Sequence, residues 1–321
     1  MPVITRRTES LKIAEKLAQC GMSIGIFGTA SAWNTEAILM AAQRIADKYQ
    51  LETVPVVVSS TFTYDHMPQA ARMLYCGDPK LGLISNMAYL HSLCDDKYSP
   101  YRNVLVLPHL DHADPVRDRW ALTAGMQYFS SVMFDAQRFP YEENLAMTKE
   151  YVQNYGGDVL VEGIMEMLNV EGSSRAAQTD DYCSRAVEYV NATGIDFLVA
   201  DLGTEQQASS VGSGTYLGER ARKLTEALGK KMLVLHGTSC LTNDQIQGLS
   251  DDGVLRVNMW TRIAREAGMY AAQQASVRLD AMRIGDFDAA DSRLYLRHCT
   301  EKAADIMVEM MEQFGYSKWK S

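Results

Sequence analysis

Eight short apolar runs, separated by longer stretches of helical periodicity, constrain this chain more than any other feature. They are SIGIF (23–27), VPVVVSS (54–60), NVLVLPHLD (103–111), SSVMFDA (130–136), DVLVEGIM (158–165), DFLVADLG (196–203), KMLVLHG (231–237) and VLRVNMW (254–260). Runs that stay apolar instead of alternating read as strands covered on both faces, as parallel strands are. Between them, TEAILMAAQRIADKY (35–49) and ENLAMTKEYVQNYG (143–156) repeat apolar residues every three or four positions. That is the mark of a helix with one buried face. Eight strand–helix rounds predict a (β/α)8 TIM barrel. The rival is an open doubly wound sheet, but no glycine-rich dinucleotide turn follows the first strand.

The expected layout is a single domain, with a barrel over about 1–260, an insert over about 61–102 and carboxy-terminal helices over about 261–316. Two helices are expected in that extension, near 261–283 and 291–314. A net charge of −9 argues against a nucleic-acid binder, which needs a basic stripe. No apolar run is long enough to span a bilayer, and the start MPVITRRTESLKIAEKL reads as amphipathic helix, not as a signal peptide. The six cysteines form no CxxC pair, so reduced thiols and a cytoplasmic location are expected. The stretch MVEMMEQF (307–314) carries a Met/Phe stripe that either packs on the chain's own barrel or serves a contact between copies.

A barrel of this type places its chemistry at the carboxyl ends of its strands. Those ends read His109-Leu110-Asp111-His112, then Asp135, Glu162, Gly203-Thr204-Glu205-Gln206-Gln207, His236-Gly237-Thr238-Ser239 and Asn258-Met259-Trp260-Thr261. Two imidazoles at separate tips, one beside a carboxylate, are the usual core of a catalytic metal site. His109 is expected to sit differently from Asp111, in a supporting or structural role. His66, His91 and His298 show no partner signal. The turn Gly237-Thr238-Ser239 offers backbone N–H groups that can hold a phosphate without a lysine.

Taken together, HLDH, SSVMFDA with YEENLAMTKEYV, TGIDFLVADLGT, KMLVLHGTS and VLRVNMWT resemble, in order and spacing, the class II metal-dependent fructose-bisphosphate and tagatose-bisphosphate aldolases. SIGIFGTASAWNTEAILMAA is similar to that family's first strand and helix. The resemblance implies an aldol cleavage or condensation of a sugar or sugar-phosphate, assisted by zinc or another divalent cation, in a homodimer or larger oligomer. It implies that Asp111 is the general acid/base and that His112 and His236 ligate the metal. It implies a mobile-loop glutamate, for which Glu171 is the nearest match, and phosphate binding by Gly237 and Ser239. Gly203, Asn258, Trp260 and Thr261 fall at substrate-contacting positions.

The departures from the family pattern are specific. Gln206 stands where the third metal-binding histidine belongs, and Gln207 replaces the glycine after it. Glu205 is the neighbouring carboxylate that could substitute as ligand. Ile164 replaces a second glutamate on strand five, Trp260 a substrate-binding carboxylate, Gly28 an asparagine after strand one, and Cys240 the last glycine of HGxSG. Several substrate-facing positions thus change together, which implies a substrate other than fructose 1,6-bisphosphate. The alternative is a non-catalytic barrel that binds a small molecule or serves as a partner subunit. A Schiff-base mechanism has no lysine at a strand tip to carry it.

Overall fold

The eight apolar runs become eight parallel strands hydrogen-bonded in sequence order and closed into a barrel. A computed structural model describes residues 2–168, 181–205, 212, 214–290 and 292–320, the side chains of 290 and 292–295 excepted. The strands are β1 (Ile24–Gly28), β2 (Val54–Thr61), β3 (Val104–Ala113), β4 (Ser131–Phe134), β5 (Leu160–Ile164), β6 (Phe197–Val199), β7 (Leu233–Leu235) and β8 (Val254–Met259). Closure is made by β1 against β8, with Ile24 opposite Arg256. All eight residues of β2 are buried, as expected for a strand packed between a barrel interior and a helical ring.

The first half of the helical ring holds α1 (Arg7–Cys20), α2 (Ala32–Tyr49), α3 (Gln69–Arg72), α4 (Pro79–Cys94), α5 (Arg119–Leu122) and α6 (Tyr141–Tyr155). The second half holds α7 (Tyr182–Thr193), α8 (Gly218–Leu228), α9 (Thr261–Val277), α10 (Leu279–Arg283), α11 (Phe287–Ala290) and α12 (Ser292–Gln313). The segment 61–102, read from sequence as surplus, contains α3 and also α4, the helix that carries the chain from β2 back to β3. Among the described residues no helix is long and apolar enough to cross a membrane.

One sequence expectation for the extension needs correction and one open alternative is decided. The helix expected over 261–283 is broken at Arg278, whose N–H reaches the carbonyls of Ala275 and Ser276, a tightening that ends α9 before α10 begins. Of the two readings of the Met/Phe stripe, packing within the chain holds: Met311 and Phe314 are 0% and 3% exposed, and α12 packs on α2 and α9. Apolar side chains that do face outward lie nearby, with Val277 80%, Ile284 87% and Phe287 88% exposed.

Candidate metal and active site

β3 delivers the two residues on which the site turns by breaking its own alternation. Along a regular strand Asp111 and His112 would face opposite sides of the sheet. The pairing of β3 with β4 shifts register between Leu110 and Ala113, and His112 adopts φ 47. A positive φ outside glycine is uncommon and gathers at functional sites. Here it accompanies a chain path that brings both side chains to one cavity at the barrel mouth.

His236 arrives from the turn that follows β7. Gly237, at φ 68, must be glycine, since a Cβ would lie 2.7 Å from the backbone of Glu205. Thr204 Oγ1 donates to the His236 carbonyl at 2.6 Å and ties the two turns together. The rings of His112 and His236 meet edge to face with centroids 5.0 Å apart. One donor atom from each of Asp111, His112 and His236 lies within 4.8 Å of the others, and no second cluster of this kind occurs among the described residues.

Neighbours fix the orientation of each member. Asp135 Oδ2 holds His112 Nδ1 at 2.7 Å, which leaves Nε2 as the coordinating nitrogen. Tyr64 lies flat on the His112 ring at 4.3 Å and 7°. Asn258 Nδ2 donates to Asp111 Oδ2 at 2.9 Å. Asp111 Oδ1 and His236 Nε2 are buried with no hydrogen-bond partner among the described residues. Buried polar atoms almost always have partners, so two orphans facing one spot mark a place for a ligand. Two imidazoles and a carboxylate within reach of one point suit a divalent cation of the zinc type.

Electrostatics agree with that use. Burial raises the Asp111 carboxyl, but His112, His236, His109 and the Asn258 amide outweigh it and hold the group below its usual range. Burial pushes His236 down to about 4, so its imidazole is neutral near pH 7. Burial also lowers His112, yet Asp111 and the Asp135 hydrogen bond outweigh it and the net shift is upward. A cation bound here would take the place of that ring proton.

Above the trio opens a cavity of about 440 Å³ whose wall includes Tyr64, His66, Arg72, Ser239, Trp260 and Thr261. Gly237 and Ser239 border it beside the amino terminus of α9, where Ser239 Oγ accepts from the Arg262 N–H at 3.2 Å. Free N–H groups and the helix dipole make that edge favourable for an anion. Two of the family departures prove to be one change. A Cβ on Gly28 would lie 2.8 Å from Trp260 Cε3 and 2.6 Å from Gln69 Nε2, so the indole and the amide fill the space a residue-28 side chain would need.

Other sequence-picked positions fall elsewhere. Glu162, read as a tip residue, lies inside the barrel at 0% exposure, 2.6 Å from Arg256 Nε and 3.5 Å from His109 Nε2. The Arg256 N–H is not aimed along a hydrogen bond, but Coulomb attraction follows separation, so the contact is an ion pair. His109 shares a strand face with Asp111, being two residues away, and differs from it in depth. Its Nδ1 is engaged with the Ser131 hydroxyl at 2.9 Å. Gly203, at φ 91, packs against Leu217 and Thr215 and is not part of the cavity wall. Ile164 is fully buried in β5, and Cys240 is buried where a Cβ on Gly214 would meet its Sγ at 2.0 Å. Glu171, Gln206 and Gln207 lie outside the described residues. The sequence reading missed Tyr64, His66 and Arg72 as wall residues. The one signal for them was the unusual Tyr and His content of 61–102.

A profile of the family described as fructose-bisphosphate aldolase class-II matches residues 8–318. The chain is 32% identical to the 6-phospho-5-dehydro-2-deoxy-D-gluconate aldolase of Bacillus subtilis, over 91% of this chain and 90% of that one. It is 30% identical to a probable fructose-bisphosphate aldolase of the same organism, over 99% of each. The fold matches the fructose-bisphosphate aldolase of Campylobacter jejuni with a TM-score of 0.75 at 19% identity, covering 97% of this chain and 95% of that one. The chain therefore belongs to the class II fructose-bisphosphate aldolase family. It is an aldolase-type lyase, divergent within that family.

Proposed function

We propose that this protein cleaves and forms a carbon–carbon bond in a phosphorylated ketose other than fructose 1,6-bisphosphate, with a divalent cation held by His112 and His236. The third ligand is assigned to Gln206, with Glu205 as the alternative. The observation that carries this reading is the convergence of Asp111, His112 and His236 within 4.8 Å, with Asp111 Oδ1 and His236 Nε2 buried and unpartnered. A cation at that point supplies Lewis acidity to the substrate carbonyl.

The chain's own groups handle the proton and the position. Asp111, its Oδ2 fixed by Asn258, takes the proton of the hydroxyl on the carbon that leaves as aldehyde. As that O–H bond breaks, a C=O bond forms and the carbon–carbon electron pair passes to the ketose fragment. Glu171 is assigned the proton that then closes this carbon. Gly237, Ser239 and the amino terminus of α9 hold the phosphate of the ketose fragment, and Thr261 borders the same edge. Trp260 replaces a charged contact with a flat apolar wall, which favours a substrate differing from fructose 1,6-bisphosphate at that face. Gly203 serves through the geometry of its turn. The expected homo-oligomer is assigned to the outward Val277, Ile284 and Phe287 instead of the buried α12 stripe.

The test is deuterium exchange at the hydroxymethyl carbon of dihydroxyacetone phosphate, followed by NMR. Exchange that needs protein, stops with a chelator and returns with zinc, cobalt or manganese is expected. Protein saturated with each metal that leaves the label untouched would sink the proposal and favour a non-catalytic barrel.

A further inference from the structure

Gln69 brings a fixed amide to the cavity wall with one of its two ends unmet. The residue is 3% exposed and borders the same cavity as Asp111, His112 and His236. The backbone tells its ends apart: Thr61 N donates to Gln69 Oε1 at 2.9 Å, and an amide receives an N–H only on its oxygen. Nε2 is therefore the other end, and no described atom accepts from it. A buried amide N–H without an acceptor is costly, and folded proteins seldom leave one so.

The turn that carries this amide is built to stay in place. Gln69 N donates to Thr61 Oγ1 at 2.9 Å, and that hydroxyl donates to the Met67 carbonyl, which closes the loop after β2 on itself. Gly82 of α4 presses on α3 so closely that a Cβ there would lie 1.9 Å from the Ala70 carbonyl oxygen. Gln69 Nε2 and Trp260 Cε3 lie 2.6 Å and 2.8 Å from the point where a Cβ on Gly28 would stand, so amide and indole are neighbours on one wall. That wall offers an N–H donor beside an apolar ring. Among the described residues around the cavity, Asp111 is the single carboxylate.

Register places the wall on the aldehyde side of the site. Thr61 of β2 stands opposite Asp111 of β3, and Gln69 is tied to Thr61. The Gly237 turn follows β7, with the tips of β8 and β1 between it and β2 around the rim. Asp111 serves the hydroxyl on the carbon that leaves as aldehyde, so the substrate atoms beside Gln69 belong to that half. A hydroxyl there meets Nε2 only by turning its own proton toward the indole, which has no oxygen to accept it. An oxygen without a proton meets the same wall with nothing left unpaired. We infer that Gln69, with Trp260, sets substrate specificity by donating from Nε2 to an uncharged, proton-free oxygen, a carbonyl or an ether, on the aldehyde half. This rests on the aldolase reading above and narrows it by naming the functional group that half carries.

The experiment compares unaltered protein, Gln69→Met and Gln69→Glu in condensation of dihydroxyacetone phosphate with three acceptors. These are methoxyacetaldehyde, butyraldehyde, which has a methylene in place of the ether oxygen, and glycolaldehyde. The unaltered protein is expected to favour methoxyacetaldehyde over butyraldehyde in kcat/KM by about two- to tenfold, the range for one neutral hydrogen bond. Gln69→Met should bring that ratio down to about one, since no donor remains. Gln69→Glu keeps an oxygen for Thr61 N but turns the donor into an acceptor, so the preference should reverse and glycolaldehyde should gain on methoxyacetaldehyde. General damage to the site lowers the two isosteric acceptors together and leaves their ratio alone; a lost contact moves the ratio. A ratio near that of the unaltered protein in Gln69→Met, no preference in the unaltered protein, or loss of all condensation in both variants would each overturn the inference. So would an unaltered protein that exchanges deuterium into dihydroxyacetone phosphate yet takes none of the three acceptors. Absence of that exchange would instead overturn the aldolase reading beneath it.

Discussion

The barrel interior and the barrel mouth both bury charged groups, and they treat them in opposite ways. Inside, Glu162 and Arg256 neutralise each other at 2.6 Å, with Arg256 Nη2 also donating to Ser131 Oγ at 3.0 Å. Burial pushes Glu162 up to about 7 and Arg256 opposes that shift. At the mouth, Asp111 Oδ1 and His236 Nε2 are buried with no hydrogen-bond partner among the described residues. The interior pair also leaves Glu162 Oε1, Glu162 Oε2 and Arg256 Nε without hydrogen bonds, but its opposite charges balance within the pair, whereas the mouth gathers three metal-type donor atoms around one point. Chemistry belongs to the mouth.

The sharpest way to break that contrast is to alter one carboxylate in each layer. Asp111→Asn removes the proton acceptor at the mouth, and turnover should fall by about 10²–10⁴-fold while metal content and unfolding midpoint stay near those of the parent, read by steady-state kinetics and metal analysis. Glu162→Gln strands Arg256 in the interior and should cost ~3–5 kcal/mol in urea unfolding. Joining it with Arg256→Met should recover much of that loss, because an uncharged pair has no buried charge to strand. If Asp111→Asn destabilised the fold as much as Glu162→Gln, the two layers would not differ as described.

A finer probe lies between the layers. Asp135→Asn weakens the group that orients His112, so metal affinity in chelator competition should drop by about 10–100-fold with little change in fold stability. The smallest effect concerns the surface. Ile284→Lys with Phe287→Lys should shift sedimentation toward the monomer and leave turnover per chain almost unaltered; an unchanged oligomer would move the contact elsewhere.

What sequence could reveal of this molecule follows the same division. Parallel strands buried on both faces leave runs such as VPVVVSS that cannot be disguised, so the barrel and its strand order were legible. Asp111, His112 and His236 were legible too, as polar residues where an apolar run stops. Their convergence was expected from the shared barrel mouth and the family resemblance; the means, a register shift in β3 and φ 47 at His112, no local pattern announces. Glu162 was misplaced because a charge inside a barrel looks, in one dimension, like a charge at its rim. The helix over 261–283 hid its break at Arg278 because helical propensity runs on across it. Gly28 and Trp260, far apart in sequence, read as separate departures until the structure placed the indole where a side chain on residue 28 would have to go, 2.8 Å from a Cβ built there. Arg72 was invisible for a similar reason: the loop that carries it is closed by contacts between Thr61 and Gln69 that sequence does not display.

The central claim is that the tips of β3 and β7 share one divalent cation. Zinc titration of chelator-stripped protein by isothermal calorimetry, run on the parent chain and on His236→Ala, tests it directly. The account predicts one tightly bound ion per parent chain and none of comparable affinity in His236→Ala. No binding to the parent, or equal binding to both, would contradict it.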